Sequence, residues 1–304
     1  MTRAVLVATV LLLGAWPALA QDQFFDSNGV RIRYIDRGKG EPVVLLHGNG
    51  GSLQGWIDAG IVANLERDYR VIAFDARGHG KSGKPHEVSA YGPQMGLDAV
   101  RLLDHLGLTR AHFVGYSMGA SILGKLVTTH SSRFITLTMG GSTGRFKFTP
   151  AEAERIEREA AEKERDCVSR SQMMRLAAVG QPAPTDADVQ AASKACMANP
   201  NQDRFALAAL HRGFKDLAVT TEQVNAITVP TIGIVGSLDG YLADFKEMQG
   251  LRPSMKLVVI DGATHGGPKG AMIRPEFIAA VRELIASHQL PRTQPPPDAA
   301  PPVR

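Results

Sequence analysis

Short apolar runs recur along the chain, and most of them are followed by a glycine-rich loop. Continuous runs of this length are typical of strands that are covered on both faces of a parallel sheet. We predict such strands at Pro42–Leu46, Val71–Phe74, Phe134–Met139, Val229–Gly236 and Met255–Ile260. An earlier segment, Gly29–Ile35, alternates apolar and polar residues as a half-buried strand does, and the turn that follows it predicts a hairpin partner downstream.

Amphipathic segments lie between these strands. Met95–Leu106 carries apolar residues at positions 97, 100, 103 and 106, and this spacing predicts a helix with one buried stripe. Further helices are predicted at Trp56–Leu65, Leu242–Gly250 and Pro275–His288, the last of which has proline in its first turn. Buried strands that alternate with amphipathic helices predict an α/β domain.

The composition changes in the middle of the chain. Ala151–Asp166 consists almost entirely of Ala, Glu, Arg and Lys, which predicts a solvated helix. Met173–Val179 is the apolar part of this region, and we interpret it as packing against the main domain rather than contacting substrate. Further helices and no strands are predicted from there to residue 224. Residues 145–228 are therefore predicted to form a helical cap inserted into a core domain of residues 21–144 and 229–290.

Both ends of the sequence differ from the rest. Residues 1–20 combine Arg3, a short apolar run and small residues before Gln21, a pattern typical of a secretory signal peptide cleaved after Ala20. A membrane anchor is the alternative, but the run falls short of the roughly 20 residues that a spanning helix needs. We therefore expect a periplasmic or secreted protein without a stable membrane anchor. Residues 291–304 are too rich in proline to pack and are predicted to form a disordered tail.

Charge and composition exclude several classes of function. The chain carries 34 Lys and Arg against 30 Asp and Glu, and removal of residues 1–20 leaves 33 against 30, a formal charge of +3. So small an excess of positive charge does not indicate a nucleic-acid-binding surface. The nine histidines follow no metal-binding spacing, so no metal site is predicted. The glycine-rich segment 75–83 matches neither phosphate-binding motif and is interpreted as a structural loop.

A candidate nucleophile lies within Ala111–Thr128, where the sequence predicts a strand, a sharp turn and a helix in succession. The turn has the sequence Gly-Tyr-Ser-Met-Gly, which fits the nucleophile-elbow pattern GxSxG with Ser117 at its centre. A serine in such a turn has a strained backbone, and side chains at Gly115 and Gly119 would collide with the neighbouring strand or helix. The pattern predicts an exposed Ser117 hydroxyl above a helix N-terminus, which favours developing negative charge.

The order of these motifs resembles the α/β-hydrolase fold superfamily over roughly residues 29–288. A HGNGG loop, a DARGHGKSGKP loop, the GYSMG elbow, a helical insertion and then Asp239 and His265 each follow a strand in turn. The resemblance implies a mostly parallel central sheet flanked by helices, with a helical cap. Within the superfamily the chain is similar to small capped serine hydrolases such as esterases, enol-lactonases and perhydrolases.

The resemblance also implies a catalytic triad in the chain order that this fold uses. Ser117 is the nucleophile, Asp239 the acid and His265 the base. Asp244 and Asp261 are weaker candidates for the acid, because the first is expected within a helix and the second lies only four residues before the histidine.

The expected oxyanion hole combines two backbone N–H groups. One belongs to Met118, the residue after the nucleophile, and the other to Asn49 in the HGNGG loop, with Gly50 as the alternative because consecutive glycines leave the register open. Two histidines of the family motifs, His47 and His79, are expected to shape these loops.

The implied function is cleavage of a carboxylic ester or lactone in a small-molecule acyl substrate through an acyl-enzyme, without a cofactor. Epoxide hydrolases and haloalkane dehalogenases of this fold carry aspartate at the elbow, so Ser117 argues against both. A perhydrolase or a C–C bond hydrolase would share the same triad. A binding protein that has kept the fold without turnover is a further alternative, and the oligomeric state stays open.

The chain has two cysteines, Cys167 and Cys196, and both lie in the predicted cap. Export to an oxidising compartment favours pairing of such residues, so we hypothesise a disulfide bond between them. Two buried free thiols are the alternative. A bridge closing a loop of about 30 residues would stabilise the protein by roughly 3 kcal/mol.

Overall fold

A sheet of eight strands runs through the part of the chain that the computed structural model describes, residues 22–144 and 148–289. Its strands are β1 Gln23–Ser27, β2 Val30–Arg37, β3 Pro42–Leu46, β4 Arg70–Phe74, β5 Ala111–Tyr116, β6 Phe134–Gly140, β7 Thr231–Gly236 and β8 Lys256–Ile260. The spatial order is β1-β2-β4-β3-β5-β6-β7-β8. The pairs from β4 onward are parallel, whereas β2 is antiparallel to both of its neighbours.

The prediction that Gly29–Ile35 forms a hairpin with the strand that follows it is wrong. Strand β2 pairs with the preceding strand β1 and with β4, and β3 lies between β4 and β5 instead. Strand β3 is apolar on both sides and belongs in the interior of the sheet, so the chain crosses over at residues 38–41 rather than turning back. Strand β1 was not predicted, although Gln23–Ser27 is the actual hairpin partner of β2.

The sheet has an apolar layer on each face. Side chains of β3 alternate between the layers, with Val44 and Leu46 in one and Val43 and Leu45 in the other, all four fully buried. Burial on both faces explains why the central strands are continuous apolar runs. The expected strand positions are confirmed for all five predicted runs.

Helices cover both faces of the sheet. They are α1 Leu53–Asp58, α2 Ile61–Leu65, α3 Pro93–His105, α4 Met118–Leu126, α5 Pro150–Asp166, α6 Arg170–Arg175, α7 Asp186–Ala198, α8 Arg204–Arg212, α9 Thr221–Ala226, α10 Leu242–Leu251 and α11 Pro275–Ala286. The single helix predicted at Trp56–Leu65 is wrong, because Gly60 adopts φ +71° and separates α1 from α2. A left-handed residue of this kind ends a helix.

Helices α5 to α9 lie between β6 and β7, where the helical cap was predicted. The expectation of a solvated α5 holds for one face of the helix only. This helix packs against α8 and buries Glu159 completely and Lys163 almost completely. Pairing of Glu159 with the α8 residue His211 at 2.9 Å explains how a charged sequence can be buried here, because a buried carboxylate needs charged or hydrogen-bonding partners.

The predicted signal peptide and the predicted proline-rich tail lie outside the described residues. None of the described helices is long and apolar enough to span a membrane.

Candidate active site

Ser117 occupies the corner between β5 and α4. Its backbone has φ 52° and ψ −113°, a conformation that residues other than glycine rarely adopt. A Cβ atom at Gly119 would lie 2.1 Å from the Leu46 carbonyl oxygen, and one at Gly115 would lie 2.6 Å from the Ala120 nitrogen. The two glycines therefore allow the strand and the helix to approach closely enough to form the turn.

Three side chains from distant parts of the chain meet above this corner. The Ser117 hydroxyl lies 2.8 Å from His265 Nε2, and His265 Nδ1 lies 2.9 Å from Asp239 Oδ2. Because a carboxylate only accepts hydrogen bonds, Nδ1 carries the proton and Nε2 accepts from the serine. The Asp239 side chain is fully buried and that of His265 is 11% exposed. This is the geometry of a nucleophile, a base and an orienting acid.

The structure also places the two weaker candidates for the acid. Asp261 is exposed and accepts a hydrogen bond from the Ser237 hydroxyl at 3.2 Å. Asp244 lies in the first turn of α10. Of the three carboxylates considered, Asp239 is the one that contacts His265.

Two tyrosines support the triad, and the sequence analysis did not single them out. The Tyr116 hydroxyl donates to the His265 carbonyl oxygen at 2.7 Å and thereby holds the histidine loop against the elbow. The Tyr241 N–H donates to Asp239 Oδ1 at 3.0 Å, and its ring lies 5.3 Å from the His265 ring. The sequence signal that could have identified them is their position, since Tyr116 directly precedes Ser117 and Tyr241 lies two residues after Asp239.

The loop after β3 is held by two buried histidines. His47 Nδ1 donates to the Gly48 carbonyl oxygen at 2.7 Å, and its Nε2 accepts from the Ala76 N–H at 3.0 Å. His79 Nε2 accepts from the Gly50 N–H at 3.0 Å. Burial lowers the pKa of both imidazoles and keeps them neutral, as this accepting role requires.

These contacts bear on the expected oxyanion hole. The Gly50 N–H is already used by His79, whereas Asn49 lines the cavity in front of Ser117. Met118 is the first residue of α4, and the first N–H groups of a helix have no acceptor within it. The bond from Gly50 to His79 thus argues against Gly50, and Asn49 and Met118 stay the expected pair of donors.

A cavity of about 240 Å³ opens in front of Ser117. Its walls include Asn49, Trp56, Ser117, Gln172, Leu176 and His265. The cap residues Gln172 and Leu176 belong to α6 and the residue after it, and both line the cavity. The interpretation of Met173–Val179 as packing against the main domain rather than facing the site is wrong, because none of its residues is buried and Leu176 forms a wall of the cavity. A wider groove of about 760 Å³ adjoins the His265 side and is lined by Leu176, Leu238 and Pro268 among others.

Cys167 and Cys196 form a disulfide bond in the structure, with Cα atoms 5.9 Å apart. The bond joins the end of α5 to α7 within the cap. Among residues 22–144 and 148–289, no group of three or more His, Cys, Asp or Glu side chains could hold a metal ion.

A family model of the alpha/beta hydrolase fold matches residues 41–265. The chain belongs to this family. The fold class predicted from the motifs, an α/β-hydrolase sheet flanked by helices, is confirmed by this match and by the strand order of the sheet.

Curated relatives within the α/β-hydrolase family match the chain in part. It is 37% identical over 109 residues to a non-heme haloperoxidase of Rhodococcus erythropolis, covering 35% of this chain and 38% of that protein. It is 36% identical over 115 residues to epoxide hydrolase A of Mycobacterium tuberculosis, covering 37% of this chain and 35% of that protein. The chain thus spans less than two fifths of the length of these relatives.

A solved structure extends the likeness to nearly the whole chain. A thermophilic esterase from Thermogutta terrifontis superposes with a TM-score of 0.71 over 89% of this chain and 100% of that one, at 24% identity. At this level of identity the likeness concerns the fold. Together, the family and its relatives support a hydrolase.

Proposed function

We propose that this protein is an exported serine hydrolase that cleaves a carboxylic ester or lactone of a small molecule through an acyl-enzyme. The observation that carries the proposal is the hydrogen-bonded series from Ser117 to His265 to Asp239 at the mouth of a cavity, with distances of 2.8 and 2.9 Å. A serine hydroxyl becomes a nucleophile when a neutral imidazole can take its proton.

The reaction follows from the positions of these atoms. His265 Nε2 takes the proton from Ser117 as Oγ attacks the carbonyl carbon, and Asp239 stabilises the imidazolium that results. The tetrahedral intermediate collapses when His265 gives that proton to the leaving oxygen, which departs as an alcohol. Water then attacks the acyl-enzyme with His265 as the base, and the acid is released.

The developing oxyanion is expected to lie between the backbone N–H groups of Met118 and Asn49. One such donor contributes roughly 3 to 4 kcal/mol of transition-state stabilisation in comparable sites. The N-terminus of α4 points in the same direction and adds a favourable dipole.

The nucleophile type separates this proposal from epoxide hydrolysis. A carboxylate nucleophile gives an ester intermediate from an epoxide, whereas a serine gives an ester from an acyl group. Ser117 at the elbow therefore supports acyl transfer, although an epoxide hydrolase is among the relatives.

Export is part of the proposal because of residues 1–20 and the cap disulfide. Disulfide bonds persist in the periplasm and outside the cell, and they are rare in the cytosol. The Cys167–Cys196 bond is consistent with this location.

The test is turnover of p-nitrophenyl esters and of lactones by purified protein, together with labelling by an active-site phosphonate. Ser117→Ala should lower kcat on the order of 10⁴-fold or more, and the label should be found on the peptide that contains Ser117. Ser121→Ala is the matched control, since Ser121 lies one turn further along α4 and bonds to Ser142. Retained turnover in Ser117→Ala, or a label on another serine, would show that the assignment is wrong.

A further inference from the structure

Lys163 is a cation buried inside the cap. It lies on the last turns of α5, and the residue is 5% exposed. Its ammonium group donates to Gln172 Oε1 at 2.7 Å, and within the described part of the chain it makes no ion pair. A buried ammonium group with only a neutral partner is unusual, because burial removes hydration that a neutral group does not fully replace.

The acidic residues around Lys163 are committed to other partners. Glu159 accepts from Arg155 at 2.8 Å and from Arg175 at 3.1 Å. Glu162 accepts from the Ser169 and Ser171 hydroxyls at 2.6 and 2.7 Å. Lys163 thus lacks a dedicated counterion, although two carboxylates lie close to it along the same helix.

Lys163 lines a cavity of about 420 Å³ between the cap and the loop after β3. It is the one charged side chain among the residues that line this cavity, and the walls contain no carboxylate. The other polar residues of the lining are all neutral: Asn49, Ser169, Gln172, Asn199 and Gln202. Gln202 also donates to the Gly50 carbonyl oxygen at 2.9 Å, which ties the cap wall to the loop. The cavity is therefore suited to an anion.

The Lys163 cavity shares two walls with the cavity in front of Ser117. Asn49 and Gln172 line both of them. The wide apolar groove also reaches Gln172, but it is lined by His265 and not by Asn49, whereas the Lys163 cavity is lined by Asn49 and not by His265. In the mechanism, His265 protonates the leaving oxygen, so the leaving group lies on the His265 side and the acyl chain extends toward Asn49. The Lys163 cavity is thus on the acyl side.

We propose that Lys163 binds a carboxylate carried by the acyl part of the substrate, so that the preferred substrates are monoesters of dicarboxylic acids. This inference rests on the proposed function and names its substrate class. The alcohol part occupies the apolar groove on the His265 side, and the carboxylate replaces the counterion that Lys163 lacks.

The protonation of Lys163 adds a dependence on pH. Burial lowers the pKa of its ammonium group to about 8, although the nearby Glu159 acts in the opposite direction. Arg175 lowers this pKa further and Glu162 raises it, and His79 is close enough for Lys163 to lower the pKa of its imidazole. A bound carboxylate stabilises the charged form. The preference for a carboxylate substrate is therefore complete only well below pH 8, and it declines as the pH rises through about 8.

Two p-nitrophenyl esters with the same six-carbon acyl chain test the proposal: the monoester of adipic acid and the ester of hexanoic acid. For the wild-type protein at pH 7, kcat/KM should be at least about tenfold higher for the adipate ester, mainly through KM. Lys163→Gln should bring the ratio of the two kcat/KM values close to one. Lys125→Gln is the matched control, because Lys125 donates to the Ala218 carbonyl oxygen away from both cavities, and it should keep the wild-type ratio.

A binding experiment separates this inference from the proposed function. Titration of the Ser117→Ala variant with adipate in a calorimeter should show binding, and the double variant Ser117→Ala/Lys163→Gln should show none. Cleavage of the hexanoate ester without any preference for adipate, or a preference that survives Lys163→Gln, would overturn the inference and leave the proposed function intact. If neither ester is cleaved, the proposed function fails, and the titration still decides whether Lys163 binds a carboxylate.

Discussion

Arg175 Nη1 donates to the phenol oxygen of Tyr241 at 2.6 Å and so joins the cap to the loop that carries Asp239, the proposed catalytic acid. On the cap side, Arg175 is held by the buried carboxylate of Glu159. On the core side, the Tyr241 N–H holds Asp239, and its ring lies against His265. This hydrogen bond thus couples the position of the cap to the geometry of Asp239 and His265.

Tyr241→Phe should therefore raise KM about tenfold with a smaller effect on kcat. The variant removes one charge-assisted hydrogen bond between cap and core, but it keeps the ring and the backbone N–H that orient Asp239. The measurement is steady-state kinetics with an ester substrate. Tyr34→Phe removes a phenol that contacts His105 far from the site and should leave both constants unchanged. Equal kinetics in the two variants would limit Tyr241 to a structural role.

Glu159→Gln should lower the free energy of unfolding by about 3 kcal/mol or more at pH 7, because two arginines and His211 lose a buried partner. Glu157→Gln is the matched control on the same helix. Its carboxylate is 61% exposed and pairs with Arg212, so the loss should stay below about 1 kcal/mol.

The effect of Glu159→Gln should also depend on pH. Burial alone raises the pKa of the Glu159 carboxyl, but hydrogen bonds from His211 and Arg175 outweigh it and hold this pKa far below the usual range. A carboxyl with a lowered pKa stabilises the folded state above the unfolded-state pKa of 4.5, and this stabilisation is lost as the pH falls below that value. Urea unfolding at several pH values should show the difference between wild type and variant shrinking below pH 4.5. A constant difference would contradict the assignment.

Asp239→Asn should lower kcat roughly 10⁴-fold without unfolding the protein. An amide at this position stabilises the wrong imidazole tautomer of His265. Asp261→Asn should remain close to wild type, since Asp261 is exposed and bonds to Ser237. Circular dichroism checks the fold and ester hydrolysis checks the activity. The opposite pattern, with Asp261→Asn inactive and Asp239→Asn active, would reassign the acid.

Gly119→Ala should destabilise the protein by about 1 to 3 kcal/mol and abolish most activity. The added methyl group would lie 2.1 Å from the Leu46 carbonyl oxygen, so β3 and the elbow must move apart. Gly250→Ala, in α10, places its methyl group in open space and should stabilise the helix by about 0.5 to 1 kcal/mol. Thermal unfolding of the two variants gives the comparison, and a stable, active Gly119→Ala would refute the steric argument.

The double variant Cys167→Ser/Cys196→Ser should lose about 3 kcal/mol of stability. The bond joins residues that are 29 positions apart, and without it the unfolded chain gains conformational entropy. Mass spectrometry of the protein purified without reductant should find no alkylatable thiols. Reduced wild-type protein should unfold at the same denaturant concentration as the variant. Two free thiols in the unreduced protein would refute the bond.

The sequence by itself determined the features that depend on residues close together in the chain. The central strands are buried on both faces, so each is a continuous apolar run that can be recognised without knowing its neighbours. The elbow needs glycine at 115 and 119 for steric reasons that act within a few residues, and Asp239 and His265 each follow a recognisable strand. Local sterics and periodicity thus determined the fold class and indicated the triad.

Tertiary structure decided what depends on partners far along the chain. Strand β2 pairs with β1 and β4 because the apolar β3 is more stable inside the sheet, a choice that no local pattern contains. The sequence favoured Asn49 as an oxyanion donor but left Gly50 as an alternative, and the hydrogen bond from the Gly50 N–H to His79 joins two loops that no local pattern brings together. The charged helix α5 is typical of a solvated helix, yet Glu159 is buried because Arg175 and His211 come to it from other helices. Whether a charge is exposed, paired or left for a ligand depends on groups that only folding brings together.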